Sequence, residues 1–377
     1  MRTAERTAEE GTVDRMEALV ALPEPGVDRP VEQLVWQFAQ QARACLLMES
    51  SLYAELLMRA VEDIESEGVS WRLLRDHIAP GRGRAIALRF LNAVHRRVLT
   101  GDAPSLERFF AATGGSDDPS EAWDEVHRVL EAQEDELRPL VALGCQTNEP
   151  GRSASLMLGI LGALQRYRLP IDLIEIGCAG GLNLRLDHFA YSGCGQRWGD
   201  ASSPVTLEGF WADIDPIPAV DVTIASRTGI DPDPIDVTTD KGRLAVTSSV
   251  WGDQAQRLRL LAGAIEIAER VPVRLVTDDG VEWVEKHLRT TPGRLTVLMQ
   301  SVVREYLDDE RSQRLERAIA AVGVSATDAA PLARIELEPV SLTRRHGLQI
   351  TTWPEGGSVR PVTAAPLGFD VRRTEST

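Results

Sequence analysis

One run of residues constrains the fold of this chain more than any other. Ile171–Gly177 has the apolar pattern of a buried strand, and it continues without a gap into the turn Cys178–Gly181, which holds two more glycines. Apolar residues then recur at helical spacing in Leu182–Tyr191. The pattern predicts a strand, a glycine turn and a helix whose first N–H groups face a ligand.

An acidic residue before the turn separates two classes of cofactor. A nicotinamide fingerprint has G-x-G-x-x-G with an acidic residue ~20 positions later, whereas here Glu175 stands just before Gly177. The order E-x-G-x-A-x-G resembles the first motif of class I methyltransferases, with Ala179 in place of the middle glycine. This resemblance implies S-adenosylmethionine as the cofactor and a Rossmann-like fold. The alternative is a turn that serves only helix-to-sheet packing.

The second part of the chain, residues 146–377, alternates short β-rich runs with helices, which predicts a mainly parallel sheet. After the first strand, the predicted strands are 273–277, 294–300, 333–339, 348–354 and 358–364. The last three are joined by short turns and suit an antiparallel edge. The predicted fold class is therefore α/β, with a Rossmann-like, class I methyltransferase-like domain in this part.

The first part of the chain is predicted to be helical. A polar leader covers residues 1–30, and an all-helical cap domain covers 31–145. The predicted helices are 31–48, 52–64, 85–99 and 120–143. Pro80, Gly81 and Gly83 interrupt this helical pattern.

The amino-acid composition restricts the kinds of molecule that the protein is expected to bind. A formal net charge of -16 repels nucleic acid and anionic lipid, so a small-molecule substrate is expected. The cysteines form no C-x-x-C pair, and neither a signal peptide nor a membrane span is predicted, which favours a cytoplasmic protein. Oligomeric state stays open, with a homodimer as one form. The basic residues Arg82, Arg84, Arg89, Arg96 and Arg97 are predicted to lie on a solvated helix face.

Three polar motifs occur in order along the chain: Gln146–Ser153, Glu175–Asp187 and Arg227–Asp236. With them the chain resembles the uncharacterised bacterial domain-of-unknown-function family numbered 2332, from about residue 30 to about residue 355. That family carries no activity to transfer, so the reaction has to be argued from the residues themselves.

The polar motifs supply most of the candidate site residues. Arg152 can bind a carboxylate bidentately. The resemblance to methyltransferases implies that Asp278, at a strand end, accepts from the adenine amino group. The predicted cofactor-binding residues are Glu175, Gly177, Ala179, Gly181, Asn183 and Asp278. The predicted substrate-binding residues are Gln146, Asn148, Arg152, Arg227, Asp231 and Gln300. Helix capping and turn chemistry explain many of the same residues equally well.

Catalytic candidates are fewer. Glu149, His188 and Tyr191 are the predicted catalytic residues, with His188 and Tyr191 placed on the helix after the glycine turn. Methyl transfer depends mainly on positioning, so few dedicated groups are expected.

The leading hypothesis is an S-adenosylmethionine-dependent methyltransferase that acts on a small polar metabolite beneath the helical cap. One alternative is a non-catalytic binding or regulatory protein with the same fold. Another is a metal-assisted enzyme that uses Asp231 and Asp236 of a proline-stiffened loop, although no known ligand spacing supports a metal.

Overall fold

The computed structural model describes residues 2–26, 28–78, 86–340 and 345–374. Several residues discussed above lie outside these ranges: Pro80, Gly81, Arg82, Gly83 and Arg84. None of the described helices is long and apolar enough to cross a membrane.

Helices and short 3-10 turns form the first of two compact units, which comprises Met1–Thr147 and Leu244–Leu258. The helices before residue 148 are α1 (Arg2–Val20), α2 (Pro30–Leu47), α3 (Ser51–Glu65), α4 (Val69–Leu74), α5 (Ile86–Leu99), α6 (Ala122–Ala132) and α7 (Glu134–Ala142). The helices predicted at 31–48 and 52–64 are confirmed as α2 and α3, and α5 confirms the one predicted at 85–99 over its described residues.

The single helix predicted at 120–143 is wrong, because two helices, α6 and α7, meet at Gln133. Gln133 has φ −128° and ψ 30°, outside the helical region. Its side chain donates to the Asp102 carbonyl at 2.7 Å and accepts from Arg97 at 2.8 Å. We infer that these two contacts stabilise the break.

A nine-stranded sheet with helices forms the second unit, which comprises Asn148–Arg243 and Arg259–Thr377. The later helices are α8 (Ser153–Tyr167), α9 (Asp240–Ser248), α10 (Ala255–Arg270), α11 (Gly280–His287) and α12 (Asp309–Ser325). The strands are β1 (Ile171–Ile176), β2 (Ala190–Gly193), β3 (Gln196–Trp198), β4 (Thr206–Leu207), β5 (Trp211–Asp213), β6 (Ile224–Asp231), β7 (Arg274–Thr277), β8 (Leu295–Ser301), β9 (Leu332–Pro339), β10 (His346–Trp353), β11 (Gly357–Ala364) and β12 (Val371–Arg373).

The large sheet has the order β5-β12-β11-β10-β9-β8-β1-β6-β7, and β3-β2-β4 form a small second sheet. Strands β9, β8, β1, β6 and β7 run parallel to one another. Strands β10, β11 and β12 extend the sheet from β9 through antiparallel pairs. The prediction of an α/β protein with a mainly parallel sheet is confirmed. The three-residue strands β5 and β12 were not predicted.

Apolar side chains from β1 and the helices form the core around the sheet. Most of the apolar side chains of α8 are buried, and α8 contacts strands β8, β9 and β10. Ile176 of β1 and Leu298 of β8 join Leu315 and Ile319 of α12 in a buried cluster. The first parallel strands are therefore fixed by apolar packing, as expected for strands in the middle of a sheet.

The predicted proline-stiffened loop is wrong in its first half, because Arg227 and Asp231 belong to strand β6. This strand pairs in parallel with β1 on one side and with β7 on the other. Its polar side chains find partners outside the strand: the Ser226 hydroxyl, for example, donates to Asp172 at 2.7 Å. Pairing on both sides outweighs the preference of these polar residues for loops.

The helix predicted at 182–191 is also wrong. Asn183–His188 form a short 3-10 segment, and Arg185 within it has φ −110° and ψ 16°. The guanidinium of Arg185 donates to the Gly181 carbonyl at 2.9 Å, and that of Arg227 donates to the Leu184 carbonyl. An α-helix would need both carbonyls as acceptors for its own N–H groups. We infer that the two arginines compete with the helix for these acceptors.

Candidate functional site

The glycine turn follows β1 directly and depends on backbone conformations that ordinary residues avoid. Gly177, Ala179 and Gly181 have φ values of 69°, 47° and 64°, in the left-handed region. A Cβ on Gly177 would lie 2.8 Å from the Val303 side chain, so this glycine also allows a close approach. Ala179 adopts a conformation that costs a residue with a side chain about 1 kcal/mol or more.

We therefore expect Ala179→Gly to raise the free energy of unfolding by about 0.5–1 kcal/mol, because glycine relieves the left-handed strain. Urea denaturation would measure this change. Ala320→Gly on the exposed face of α12 is the matched control and should lower stability by about 1 kcal/mol. Equal losses in both variants would show that packing of the Ala179 methyl outweighs its strain.

The N–H groups of the turn are bound by the protein itself. Ala179 donates to a carboxylate oxygen of Asp231 at 2.9 Å, and Leu182 donates to the amide oxygen of Asn148 at 3.0 Å. The Gly181 N–H donates to the Cys178 carbonyl at 2.7 Å. Asn148 and Asp231, predicted to bind substrate, thus lie at the turn as acceptors of its N–H groups. These three N–H groups are therefore not free to bind a ligand.

Glu175 lies beneath the turn on β1 and is 2% exposed. Burial raises the pKa of Glu175 well above its usual value, and the Asp231 carboxylate raises it further. The guanidinium groups of Arg185 and Arg152 act in the opposite direction, as does a hydrogen bond with Asn183. The Glu175 carboxyl group is therefore close to one negatively charged side chain and to two positively charged ones.

Two acceptor atoms in this cluster lack a hydrogen-bond partner in the described chain. They are Oε2 of Glu175 and Oδ1 of Asn183, and both are buried. A buried acceptor without a donor is destabilising by about 1–3 kcal/mol. The pair is therefore suited to a ligand that brings hydrogen-bond donors, such as an ammonium group.

Two residues of this region were missed by the sequence analysis. Arg185 is 3% exposed and donates to the Val271 carbonyl at 2.7 Å, while burial lowers its pKa to about 10. His346 begins β10, and its buried Nδ1 has no hydrogen-bond partner in the part of the chain that the structure describes. Burial, then the Arg152 guanidinium, lower the pKa of His346 to about 4. Arg185 stands between two leucines in the sequence N-L-R-L, and this position could have indicated a buried arginine. His346 follows two arginines, and that local sequence does not indicate burial.

Arg152 and Glu149 flank the start of α8. Arg152 Nε donates to the Pro366 carbonyl at 3.2 Å, and Arg152 acts on the charge of Glu175 as described above. Glu149 is buried and accepts from the Gly151 N–H at 3.3 Å, which caps the short 3-10 turn Pro150–Arg152. The capping interpretation therefore accounts for part of what Glu149 does, and its catalytic role stays a prediction.

The other two catalytic candidates do not lie on a helix after the turn. Tyr191 is on strand β2, where its hydroxyl donates to the Leu186 carbonyl at 2.6 Å and its ring stacks on Trp211 at 5.5 Å. Burial raises the pKa of Tyr191 well above its usual value, so this hydroxyl is poorly suited to act as a base. His188 ends the 3-10 segment with a 44% exposed side chain, 3.7 Å from Asp187.

Of the remaining predicted residues, Asp278 follows β7 and lies beside Asp231, because its N–H donates to the Asp231 carbonyl at 3.2 Å. The others are dispersed. Gln300 on β8 donates to Glu338 at 2.7 Å, and strand alternation turns it away from the face that holds Glu175. Arg227 forms a bidentate ion pair with Asp187, both bonds 2.7 Å long. Gln146 belongs to the first unit.

Two surface clefts of the described chain contain none of the predicted site residues. One of about 450 Å³ in the first unit is lined by Trp123 and His127, among others. One of about 470 Å³ in the second unit is lined by Arg289 and Arg314, among others. The candidate site therefore rests on the buried groups around the turn.

The fold and these groups define an α/β protein with a mostly parallel sheet and a glycine turn after its first strand. The chain belongs to the family described as Uncharacterized protein conserved in bacteria (DUF2332), whose model matches residues 36–372. The resemblance found from the three polar motifs is thereby confirmed. No curated protein and no solved structure matches the chain.

Proposed function

We propose that the protein binds S-adenosylmethionine at the glycine turn and transfers its methyl group to a small polar metabolite. The observation that carries this proposal is the pair of buried, unpartnered acceptors, Glu175 Oε2 and Asn183 Oδ1, beside the turn. They are suited to the amino group of the methionine moiety. A nearby cation favours the ionised form of Glu175 despite burial.

The strand order supports the same proposal. Taken in chain order, the parallel strands β7-β6-β1-β8-β9 have the order 3-2-1-4-5, which is the order of a Rossmann-like sheet. In such sheets a ligand binds at the carboxyl ends of the strands where the order reverses, here between β1 and β8. The glycine turn is at the carboxyl end of β1. We therefore interpret the fold as Rossmann-like.

Residues around the turn are suited to the rest of the cofactor. Arg152 would bind the methionine carboxylate, Asp231 at the end of β6 the ribose hydroxyls, and Asp278 after β7 the adenine amino group. S-adenosylmethionine supplies a methyl group on a sulfonium, which an acceptor lone pair attacks as the carbon–sulfur bond breaks. The protein then has to orient both partners and exclude water.

Calorimetric titration with S-adenosylmethionine and S-adenosylhomocysteine tests this proposal. Glu175→Gln should weaken binding by about 10- to 100-fold, because a charge-assisted hydrogen bond is lost. Glu338→Gln is the matched control, since Glu338 is also a carboxylate with a raised pKa at a strand end but bonds to Gln300. Absence of binding by the wild-type protein, or equal affinities in both variants, would contradict the proposal.

A non-catalytic binding protein is the second candidate, and one observation favours it. Of the predicted bases, Glu149 caps a turn, Tyr191 is packed against Trp211, and His188 lies at the surface beside Asp187. Binding of S-adenosylmethionine without turnover on a panel of polar metabolites would support this candidate.

The metal-assisted alternative lacks a comparable observation. Asp231 accepts from the N–H groups of Ala179 and Asp233, and Asp236 accepts from Thr238 in a local turn. Among the described residues, no group of three His, Cys, Asp or Glu side chains could hold a metal ion.

A further inference from the structure

Arg96 of α5 is buried, although the sequence analysis predicts a solvated basic face for this segment. The residue is 8% exposed. The neighbouring Arg97, by contrast, pairs with Asp102 at 3.1 Å near the surface. Arginine is rarely buried unless it is paired with an opposite charge. The surroundings of Arg96 therefore indicate what kind of partner it requires.

A chain of hydrogen bonds holds the Arg96 guanidinium in one orientation. Its Nε donates to the Asn92 amide oxygen at 2.8 Å, and the Asn92 amide nitrogen donates to the Ser249 hydroxyl at 2.9 Å. The Ser249 hydroxyl in turn donates to the Ala245 carbonyl at 2.9 Å. All four residues belong to the first unit. The guanidinium is thus positioned by its inner nitrogen.

The two outer nitrogens of Arg96 have no hydrogen-bond partner among the described residues, and both retain some contact with solvent. No described carboxylate forms an ion pair with this guanidinium or acts on its charge. Burial lowers the pKa of Arg96, and the Cys145 thiol is the group that opposes this effect. The two outer nitrogens of the Arg96 guanidinium are therefore held in place without a negatively charged partner among the described residues.

Further polar groups of the same unit surround these outer nitrogens. The polar side chains of Ser249 and Asn92 act on the Cys145 thiol, as do the positive charges of Arg257 and Arg96. The guanidinium of Arg257 is 5.5 Å from the centre of the Trp251 ring, and the residue is 7% exposed. Two guanidinium groups therefore act on this place in a protein whose net charge is -16. Cationic side chains that converge on one place favour an anionic ligand there.

We propose that Arg96, Asn92, Ser249 and Cys145 form a binding site for the oxyanion group, carboxylate or phosphate, of a small molecule. The two outer N–H groups of a planar guanidinium match two oxygens of either group. Because its residues belong to the first unit, the site does not involve the glycine turn and is independent of the proposed S-adenosylmethionine function.

Calorimetric titration of the full chain with inorganic phosphate, and separately with succinate, tests the site. Arg96→Gln should abolish saturable binding, and Arg96→Lys should weaken it at least about 10-fold because the bidentate fork is lost. Arg97→Gln is the matched control on the same helix and should bind as the wild type does. Binding of phosphate alone identifies a phosphate ligand, and binding of succinate alone identifies a carboxylate ligand.

A second measurement needs no variant of Arg96, in case its replacement prevents folding. Alkylation of Cys145 by iodoacetamide, followed by mass spectrometry, should slow when the bound anion covers the thiol. The proposal is overturned if neither anion binds saturably, if Arg96→Gln binds as tightly as Arg97→Gln, or if a binding anion leaves the Cys145 rate unchanged.

Discussion

Arg227→Met is expected to lower the free energy of unfolding by about 3 kcal/mol, because it leaves the nearly buried Asp187 carboxylate without its partner. The two side chains are 11% and 13% exposed and form two hydrogen bonds of 2.7 Å. The same guanidinium also donates to the Leu184 carbonyl, so the 3-10 segment loses a contact as well. Urea denaturation followed by circular dichroism would measure the loss.

Two further variants separate the ion pair from general damage. Arg373→Met breaks an exposed pair with Asp213 and should cost at most about 1 kcal/mol. The double variant Arg227→Met with Asp187→Leu should recover most of the loss, because no unpaired charge remains. If the double variant is as unstable as Arg227→Met alone, the loss comes from packing and not from the unpaired charge of Asp187.

As the pH falls from 6.5 to about 4, the free energy of unfolding is expected to decrease because His95 resists protonation in the folded state. This histidine is fully buried, and burial lowers its pKa from 6.5 to about 4. Its Nδ1 lies 3.1 Å from the Val250 carbonyl, and its Nε2 has no hydrogen-bond partner in the described chain. A proton added to Nε2 would therefore place an unpaired charge in the core.

The direction of this change in stability follows from the lowered pKa of His95. Above pH 6.5 the imidazole is neutral in both states, but as the pH falls the unfolded state takes up the proton first. Stability should thus fall by about 2 kcal/mol by pH 5 from this group alone. His95→Asn keeps a donor near the Nδ1 position and should flatten the dependence of the unfolding free energy on pH.

His287→Asn is the control for this experiment, because His287 is exposed on α11. The unfolding free energy of the His287→Asn variant should depend on pH as that of the wild type does between pH 7 and pH 5. His346 shows the same lowered pKa, so some acid sensitivity should persist in His95→Asn. Identical curves for wild type and His95→Asn would argue against a neutral buried His95.

Local patterns predicted most of the regular elements. The apolar run 171–176 and the glycines after it define β1 and its turn, because a buried strand needs a continuous apolar segment and the turn needs left-handed backbone. The runs that became β7 to β11 were recognisable for the same reason. Strand β6 was not, because Ser226, Arg227 and Thr228 are polar, and the partners of Ser226 and Arg227 come from elsewhere in the fold.

The candidate site was predictable only in part. Glu175 and the glycines of the turn were found from spacing along the chain, and Asn148 and Asp231 do lie at the turn. Arg185 was missed although it stands between two leucines, and His346 was missed because nothing in its neighbouring residues distinguishes a buried histidine from an exposed one. Tyr191 was placed on a helix that does not form.

By itself, the sequence determined the strand and turn at 171–181, the α/β class and the family, because each depends on residues adjacent in the chain or on motifs in a set order. Only the tertiary structure decided the partners of the polar side chains. Arg227 meets Asp187 from 40 positions away, and Arg96 is buried without a carboxylate partner among the described residues. Ion pairing and burial depend on which groups meet in space, and periodicity along the chain carries no information about that.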